Sequence, residues 1–403
     1  MTDVVTPSGP RERDGLAARP PGRRMSRTAL LSIACLVLLA LAGEIAASFT
    51  QAGNGAYFVE DKDLFIVRKP DLHGYTLGDG RWNECHINRQ GLRGEDLPEP
   101  RPEGERWILC IGDSFTFGGG LDDAGAWPAQ LQRLLGAPET SGVRVLNGGA
   151  NGWDTRWQRR YLEVRALDAF HPDIVVLGWN WNDLNVDPTQ SAGPAYARHF
   201  LEAGGTWLSP FSHVPILRES HLYRWAAVHT LGSDALPTDR DLRHSFQEYR
   251  RAMNLVAVEP ERRIAEMRSR RFGDRAPDLA FWQATDTAPW KMVRSEITAI
   301  RDACAGKGAR LVVAMLPEPT WDGPGTFPGT ERLAAMLDGL DVPWVDEQPD
   351  FLARGPDGEP AGRRPELWQR YDMVHPRAEG QALLARGVMH VLRSQSLLAG
   401  AER

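Results

Sequence analysis

The stretch Trp107-Ile-Leu-Cys-Ile-Gly-Asp-Ser-Phe-Thr-Phe-Gly118 decides the fold of this chain. Its first five residues are apolar and partly β-branched, which predicts a buried β-strand. Gly112 ends the apolar run, because a glycine at a strand end permits a sharp turn that a residue with a Cβ atom would resist. The turn places the Ser114 hydroxyl at the carboxyl end of the strand, where open α/β sheets bind their ligands. The same residues also fit a plain strand and turn in which Asp113 or Ser114 only caps the next helix.

The chain around and after this stretch alternates between strand-like and helix-like patterns. Predicted strands follow at 143–146, 173–177, 310–316 and 342–345, and predicted helices at 127–135, 155–169, 289–305 and 377–392. Repeated βα units imply a parallel sheet with helices on both faces. We therefore predict an α/β domain formed by residues 106–186 and 287–403.

The alternation fails between residues 187 and 286. Residues 217–229 and 240–267 have a helical period, and a structureless loop of this length would be unusual inside a compact domain. We predict a mainly helical insertion over the carboxyl edge of the sheet, acting as a lid, a substrate groove or a cover for apolar surface. Residues 50–105 are interrupted by glycine and proline, and we expect this segment to pack on the α/β domain.

The N-terminus differs in kind from the rest of the chain. Residues 1–27 are rich in arginine, proline and glycine without an apolar period, which predicts a disordered tail. Residues 28–49 are apolar except for Glu44, a length that suits one transmembrane span. The arginine-rich flank favours the cytoplasmic side, so a bacterial chain would sit in the inner membrane with its large domain in the periplasm. A cleaved signal peptide is the alternative, since residues 46–48 are small, but Glu44 and Ile45 favour an uncleaved anchor.

Composition narrows the classes of function. The 403 residues have a formal net charge of -6 and are 25% charged. This balance gives no reason to expect nucleic-acid binding, and no basic block accompanies a nucleic-acid motif. Four cysteines are too few for a disulfide scaffold, and no Cys/His spacing suggests a zinc site. Cys85 and Cys304 could still pair in an oxidising compartment.

Further polar motifs follow other predicted strands or lie near the C-terminus. Asp372 and His375 are three residues apart, so the carboxylate could orient the imidazole as a base for a serine hydroxyl. The loops 147–152 and 178–183 are rich in glycine and asparagine, which supply backbone and amide N–H donors to a ligand. Each motif alone is weak, since these residues also form ordinary turns. Because the two loops follow successive predicted strands, they should gather at one sheet edge, where they could form an oxyanion hole with the Ser114 N–H.

These motifs together resemble those of the SGNH (GDSL) hydrolase superfamily. In order along the chain, the matching blocks are Gly112-Asp113-Ser114-Phe115, residues 147–152, Asn182-Asp183 and Asp372-x-x-His375. The resemblance implies a flavodoxin-like α/β/α three-layer sandwich without a metal or organic cofactor. It also implies Ser114 as nucleophile, His375 as base and Asp372 as the residue that orients the base.

The resemblance further implies an oxyanion hole formed by the Ser114 N–H, the Gly152 N–H and the Asn182 side chain. The asparagine block here reads Gly-Trp-Asn-Trp-Asn-Asp, longer than the shortest form in the family, so Asn180 is an alternative donor. Residues 148–149 leave a smaller choice about which glycine serves.

The layout also resembles bacterial envelope members of the superfamily, because an N-terminal anchor and the motif 87–93 precede the serine motif. This implies a membrane-anchored serine esterase acting on an acyl ester, such as an acetyl ester, of an envelope carbohydrate. One alternative is a polysaccharide O-acetyltransferase that works with a membrane-bound O-acyltransferase. Another is a non-catalytic polysaccharide-binding or assembly protein. Trp153, Trp179 and Trp181 lie beside the predicted site and either stack on sugar rings or fill the core.

Overall fold

The computed structural model of the chain describes residues 26–48, 58–184 except 62, 69 and 80, residues 220 and 222–223, 287–319, and 327–399 except 328, 357, 359 and 371–373. In chain order the strands are β1 (Phe58–Asp61), β2 (Phe65–Arg68), β3 (Leu72–Gly78), β4 (Arg81–Ile87), β5 (Arg106–Gly112), β6 (Val143–Asn147), β7 (Ile174–Trp179), β8 (Arg310–Met315), β9 (Trp344–Asp346), β10 (Leu352–Arg354) and β11 (Pro360–Arg363).

The helices are α1 (Arg27–Ser48), α2 (Ser114–Phe117), α3 (Trp127–Leu135), α4 (Pro138–Ser141), α5 (Thr155–Tyr161), α6 (Leu167–Phe170), α7 (Ala288–Gly306), α8 (Thr330–Gly339) and α9 (Ala378–Ser394). A π-helical turn, Leu162–Ala166, joins α5 to α6, so the single helix predicted at 155–169 is interrupted there.

The central sheet contains five parallel strands in the order β6-β5-β7-β8-β9. Numbered by appearance in the chain, this order is 2-1-3-4-5, which is the flavodoxin-like arrangement. The strand order reverses between β5 and β7, and ligands of such sheets bind at this point beyond the carboxyl ends of the strands. The predicted parallel α/β fold is therefore confirmed, and Ser114 follows the strand at the switch point.

Helices cover both faces of the sheet. Along β5, Leu109 and Ile111 belong to one apolar cluster, whereas Ile108 and Cys110 belong to the other. This alternation follows from the two-residue period of a strand. The first cluster includes Trp157 of α5 and Ile297 and Ile300 of α7, and the second includes Leu131 of α3 and Leu384 and Val388 of α9. The strands are apolar on both sides, as expected for a sheet buried between two helical layers.

Two hairpins precede the sheet, β1–β2 and β3–β4. In the second, Gly78 pairs with Arg81, so a connection of only two residues begins at Asp79. Asp79 has a φ of 47°, and Asp-Gly is a preferred sequence for such a turn. Isolated bridges then join Ile87 to Arg93 and Arg93 to Asn147, so this segment packs against the edge strand β6.

The hairpins and α8 were not predicted from the sequence, although signals for some of them exist. Asp79-Gly80 between two short runs is a hairpin signal, and Leu333, Met336 and Leu337 recur at helical spacing in α8. All four cysteines are free, and Cys85 and Cys304, both buried, lie in different apolar clusters.

The helix α1 contains the apolar segment Leu30–Ala47, which has a mean hydropathy of 2.4 and could cross a membrane by length and composition. A signal sequence would meet the same criteria. The Glu44 carboxylate accepts hydrogen bonds from the Ser220 hydroxyl at 2.7 Å and the Leu222 N–H at 3.0 Å. Residues 1–25 of the predicted disordered tail, and the predicted helical insertion apart from these contacts, lie outside the described residues and stay predictions, whereas Arg27 is already the first residue of α1.

Candidate active site

Ser114 is the first residue of α2, directly after β5. The Asp113 carboxylate is buried and accepts a hydrogen bond from the Phe115 N–H at 2.8 Å, which caps this short helix. Gly118 ends the helix with a φ of 85°, a left-handed conformation that favours glycine. The strand–turn–helix geometry therefore fixes the Ser114 backbone at the carboxyl edge of the sheet.

Gly112 and Gly178 make room for the side chain of Thr116 between β5 and β7. A Cβ atom would lie 2.2 Å from the Thr116 Oγ1 at Gly112 and 2.3 Å from it at Gly178. At Gly149 a Cβ atom would lie 2.4 Å from the Phe117 nitrogen, which is backbone and cannot move aside. These glycines are thus required by close packing around α2.

His375 lies opposite Ser114, and its Nε2 atom is 2.8 Å from the Ser114 Oγ. The His375 ring packs at a tilt on Phe115, with 5.5 Å between the ring centroids. The His375 carbonyl accepts a hydrogen bond from the Gln369 N–H at 2.9 Å, and the Gln369 side chain donates to the Gly119 carbonyl at 2.6 Å. Gln369 thereby connects the segment that carries the histidine to the loop that follows the serine.

The distance expected between Ser114 and His375 is therefore present, at the length of a hydrogen bond, while their roles as nucleophile and base stay predictions. Asp372 belongs to residues 371–373, which lie outside the described residues. Its assignment as the residue that orients His375 stays a prediction.

The loop after β6 lies against the turn that carries Ser114. The Ala150 N–H donates to the Gly112 carbonyl at 3.0 Å, and the Gly149 N–H donates to the Asn147 side-chain oxygen at 3.0 Å. Gly152 has a φ of 75°. Among the described residues, neither the Ser114 N–H nor the Gly152 N–H has a hydrogen-bond acceptor, so both are available for an oxyanion. Their role remains a prediction.

The loop after β7 is held by Asp183. The Asp183 carboxylate accepts the Asn180 N–H at 3.0 Å, and the Asp183 N–H donates to the Asn180 carbonyl at 2.8 Å. Asn180 is fully buried, whereas the Asn182 side chain lies outside the described part of the structure. The choice between the two amides as oxyanion donor is therefore still a prediction.

Asp183 is also fully buried, and this burial raises the pKa of its carboxyl well above the usual value. The nearby Asp113 carboxylate raises the pKa further, as does Asp154, while the hydrogen bond from the Asn180 N–H opposes them. The loop is thus held by a carboxyl group that ionises less readily than a solvated one.

The three tryptophans predicted to bind sugar are buried. Trp179 is fully buried, Trp181 is 2% exposed and Trp153 is 7% exposed. Trp181 packs on Trp179 and Phe327, with ring centroids 4.9 Å and 4.3 Å apart. These rings contribute to the core below the site, and their role in substrate binding stays a prediction.

Arg93 is a supporting residue that the sequence did not reveal as such. Its guanidinium is buried and donates to the carbonyls of Phe117, Gly118 and Leu121, which lie in or after α2. It also pairs with the Asp123 carboxylate at 2.9 Å. The motif 87–93 was noted in the sequence, but only the fold shows that its arginine holds the loop behind Ser114.

Among the described residues, no group of three or more His, Cys, Asp or Glu side chains is arranged to hold a metal ion. A groove of about 1040 Å³ runs beside the outer edge of β6 and is lined by residues such as His86, Asp123 and Arg144. Neither Ser114 nor His375 lines it, so this groove is separate from the serine–histidine pair.

A family model for the GDSL-like lipase/acylhydrolase family matches residues 110–383, which is more than half of the chain. The chain belongs to this family. The matched region includes Ser114 and His375, so the resemblance of the sequence motifs is confirmed at the level of the family. Membership supports an enzyme that hydrolyses ester bonds.

Three solved structures similar to this GDSL-family chain are those of TesA, of the psychrotrophic esterase EstA from Pseudoalteromonas sp. and of a variant of Axe2, an acetyl-xylooligosaccharide esterase from Geobacillus Stearmophilus. Their TM-scores are 0.37, 0.37 and 0.34, at sequence identities of 14%, 13% and 16%. The matches cover 72%, 73% and 72% of this chain and 99%, 100% and 95% of the other chains. Among curated proteins, no sequence matches the chain.

The raised pKa of Asp183 predicts how stability depends on pH. A folded-state pKa above the unfolded value of about 3.9 means that the folded protein binds more protons between these two values. This carboxyl therefore lowers the free energy of unfolding as the pH rises through that interval. Asp183→Asn does not titrate but keeps an oxygen for the Asn180 N–H, so its stability relative to the wild type should increase with pH.

Thermal unfolding of both proteins between about pH 4 and pH 8 checks this expectation over the range above the unfolded pKa. Asp168→Asn is the control, because Lys307 lowers the pKa of the exposed Asp168 carboxyl, so this group titrates below the range tested. The stability of that variant relative to the wild type should therefore stay constant between about pH 4 and pH 8. A constant difference between Asp183→Asn and the wild type would contradict the assignment.

Proposed function

We propose that this protein is a membrane-anchored serine esterase that hydrolyses acyl esters, such as acetyl esters, on a cell-envelope carbohydrate. The observation that carries the chemistry is the 2.8 Å contact between the Ser114 Oγ and the His375 Nε2. A serine hydroxyl is a weak nucleophile on its own, and a neutral imidazole at this distance can accept its proton during attack. The family, whose members are lipases and acylhydrolases, supports an ester as the substrate.

The reaction proceeds in two halves. The Ser114 Oγ attacks the ester carbonyl carbon while its proton passes to the His375 Nε2, and the carbonyl oxygen becomes an oxyanion. The N–H groups of Ser114 and Gly152, with an asparagine amide, stabilise this negative charge. The oxyanion collapses, the C–O bond to the alcohol breaks, and His375 returns the proton to the departing alcohol. Water then attacks the acyl-serine in the same way, and the acid and free Ser114 are released.

Asp372 fits the role of hydrogen-bond acceptor for the His375 Nδ1–H. This contact would fix the tautomer that presents Nε2 to Ser114 and would stabilise the imidazolium that forms. The position of Asp372 three residues before His375 in the sequence supports the assignment.

The carbohydrate substrate is supported by the layout of the chain. The apolar helix α1 precedes the catalytic domain and would hold it at a membrane, and the arginine-rich segment before α1 favours an extracytoplasmic catalytic domain. Acylated polysaccharides of the envelope are accessible to an enzyme in that position.

Substitution of Ser114 and His375 tests the proposed chemistry. Ser114→Ala and His375→Ala should each lower turnover of a chromogenic acetate ester by several orders of magnitude, because nucleophile and base act as a unit. Ser141→Ala, at a partly exposed serine in α4, is the matched control and should retain full activity. Turnover by purified Ser114→Ala protein at the wild-type rate would exclude the proposed mechanism. A wild-type protein that binds polysaccharide but turns over no ester would favour the non-catalytic alternative.

The same assay separates hydrolysis from transfer. If an acceptor sugar hydroxyl replaces water in the second half-reaction, the protein is an O-acetyltransferase that would receive acyl groups from a membrane-bound O-acyltransferase. Added polysaccharide should leave the yield of free acetate unchanged for a hydrolase. Acetylated polysaccharide that accumulates at the expense of free acetate would establish the transferase instead.

Substitution of Asn182 and Asn180 tests which asparagine is the oxyanion donor. Asn182→Ala should lower kcat by about 10²–10³, the usual effect of removing one such donor. Asn180→Ala should chiefly lower the melting temperature, because the Asn180 side chain is fully buried. Both variants are compared per folded molecule with one ester substrate. The opposite ranking of kcat would assign the donor to Asn180.

Cell fractionation tests whether α1 anchors the protein in the membrane. The full chain should remain in the membrane fraction after washing with high salt, since α1 is held by apolar contact with lipid rather than by charge. Protease added outside spheroplasts should digest the catalytic domain. A soluble protein that begins near Ser48 would show that the N-terminal segment is a cleaved signal peptide.

A further inference from the structure

The β3–β4 hairpin contacts the loop that follows Ser114. The Thr76 hydroxyl accepts a hydrogen bond from the Gly120 N–H at 3.0 Å, and the Asn83 side chain donates to the Gly120 carbonyl at 2.9 Å. At Gly78 a Cβ atom would lie 1.9 Å from the same carbonyl oxygen, so the two backbones touch directly. The two strands of the hairpin are therefore fixed to the nucleophile side of the proposed catalytic pair.

The tip of the same hairpin contacts the segment that carries the base. One Asp79 carboxylate oxygen accepts the Arg370 N–H at 2.6 Å, and the other lies 2.6 Å from the Arg377 Nε. Arg370 and Arg377 lie on either side of His375 in the sequence. Asp79 thus connects the two ends of the loop around His375 from outside the α/β domain.

Contacts within the loop close it at its base. The Gln369 N–H donates to the His375 carbonyl at 2.9 Å, and the Arg377 N–H donates to the Leu367 carbonyl at 2.7 Å. These two bonds fix the backbone of His375 relative to the start of the loop. The Asp79 contacts fix this loop relative to the hairpin, and the Gln369 side chain joins it directly to Gly119 in the Ser114 loop.

We propose that Asp79 is a positioning residue that holds His375 at hydrogen-bond distance from Ser114, so that the β3–β4 hairpin forms part of the catalytic machinery. This inference rests on the proposed function, because it assigns a supporting role for the same serine–histidine pair. A displacement of a reacting group by about 1 Å can lower a rate by about a hundredfold. A contact that sets the position of the histidine loop therefore affects kcat strongly.

Asp79 should have less effect on global stability than on catalysis. The side chains of Asp79 and Arg377 are 29% and 33% exposed, and ion pairs at such exposure contribute little to stability. The left-handed φ of Asp79 would strain an alanine, which limits the choice of variants. Asparagine and glycine both accept this backbone conformation, and Asn-Gly is itself a preferred hairpin turn.

Two variants at this position separate the contacts. Asp79→Asn keeps the turn and an oxygen for the Arg370 N–H but removes the charge that faces Arg377. Asp79→Gly keeps the backbone conformation and removes both contacts. We expect kcat for a chromogenic ester to fall roughly tenfold in Asp79→Asn and more in Asp79→Gly, with KM unchanged. Arg377→Gln should match Asp79→Asn, and the double variant should show no additional loss.

Asp96→Asn is the matched control. The Asp96 carboxylate also accepts a backbone N–H, at 2.9 Å, and an arginine Nε, at 2.7 Å, but both belong to Arg89 within the N-terminal segment. Replacing this carboxylate by an amide in Asp96→Asn should leave kcat unchanged. Hydrogen exchange adds a readout independent of activity, because amides of residues 367–370 and 374–377 should exchange faster in Asp79→Gly than in Asp96→Asn.

The outcomes distinguish this inference from the proposed function. A wild-type protein that reacts neither with the ester nor with a serine-directed fluorophosphonate overturns the proposed function, and the role of Asp79 falls with it. An active wild type whose Asp79 variants keep the wild-type kcat per folded molecule overturns the role of Asp79 alone. Faster exchange without loss of kcat has the same meaning, since Asp79 would then only order the loop.

Discussion

The contact between Ser114 and His375 joins residues that are 261 positions apart in the chain, and the surrounding structure serves to hold it. The serine stands on a turn that the sheet defines, because β5 occupies the switch point of the strand order. The histidine is held through its backbone, because its carbonyl accepts the Gln369 N–H and the Arg377 N–H donates to the Leu367 carbonyl. Neither element alone sets the 2.8 Å distance, so the bonds between them decide the geometry of the site.

Close packing of glycine against backbone is one part of this support. A Cβ atom at Gly112, Gly149 or Gly178 would overlap atoms of Thr116 or Phe117. The sequence suggests that these glycines free the backbone for turns, but the structure assigns them mainly to the approach of neighbouring segments. Residues whose sequence pattern predicts loops are therefore part of the packed core beneath the site.

Buried charge is a second part. Arg93, 6% exposed, lies between β4 and β5 and donates to three carbonyls around the Gly118 turn. Carbonyls at a helix end and in the turn after it lack helical partners, so a buried cation satisfies several of them at once. The segment before β5 is thus joined to the catalytic domain both by Arg93 and by the β3–β4 hairpin.

The strands and helices of the α/β domain could be predicted from sequence because each carries a local pattern. The helix Trp127–Leu135 is found at the predicted residues, and β5 extends the predicted strand by one residue at each end. The serine and histidine were also identifiable, because each lies in a short motif. Arg93 and Asp79 were not, since their partners are backbone groups or charged side chains distant in sequence. Hydrogen bonds to carbonyls leave no residue pattern, so only the folded chain shows them.

Asp183 shows what this arrangement costs in stability. Its carboxyl is fully buried near Asp113 and Asp154, and the pKa shift reflects an ionised form that the site disfavours. Yet Asp183 accepts the Asn180 N–H and so fixes the turn after β7, where an asparagine of the proposed oxyanion hole must point inward. An apolar residue would avoid the electrostatic penalty but would remove the carboxylate that accepts this buried N–H, and losing such a hydrogen bond also costs about 1–3 kcal/mol. The carboxyl group is therefore best understood as a compromise in which the position of the loop is kept at the expense of stability at higher pH.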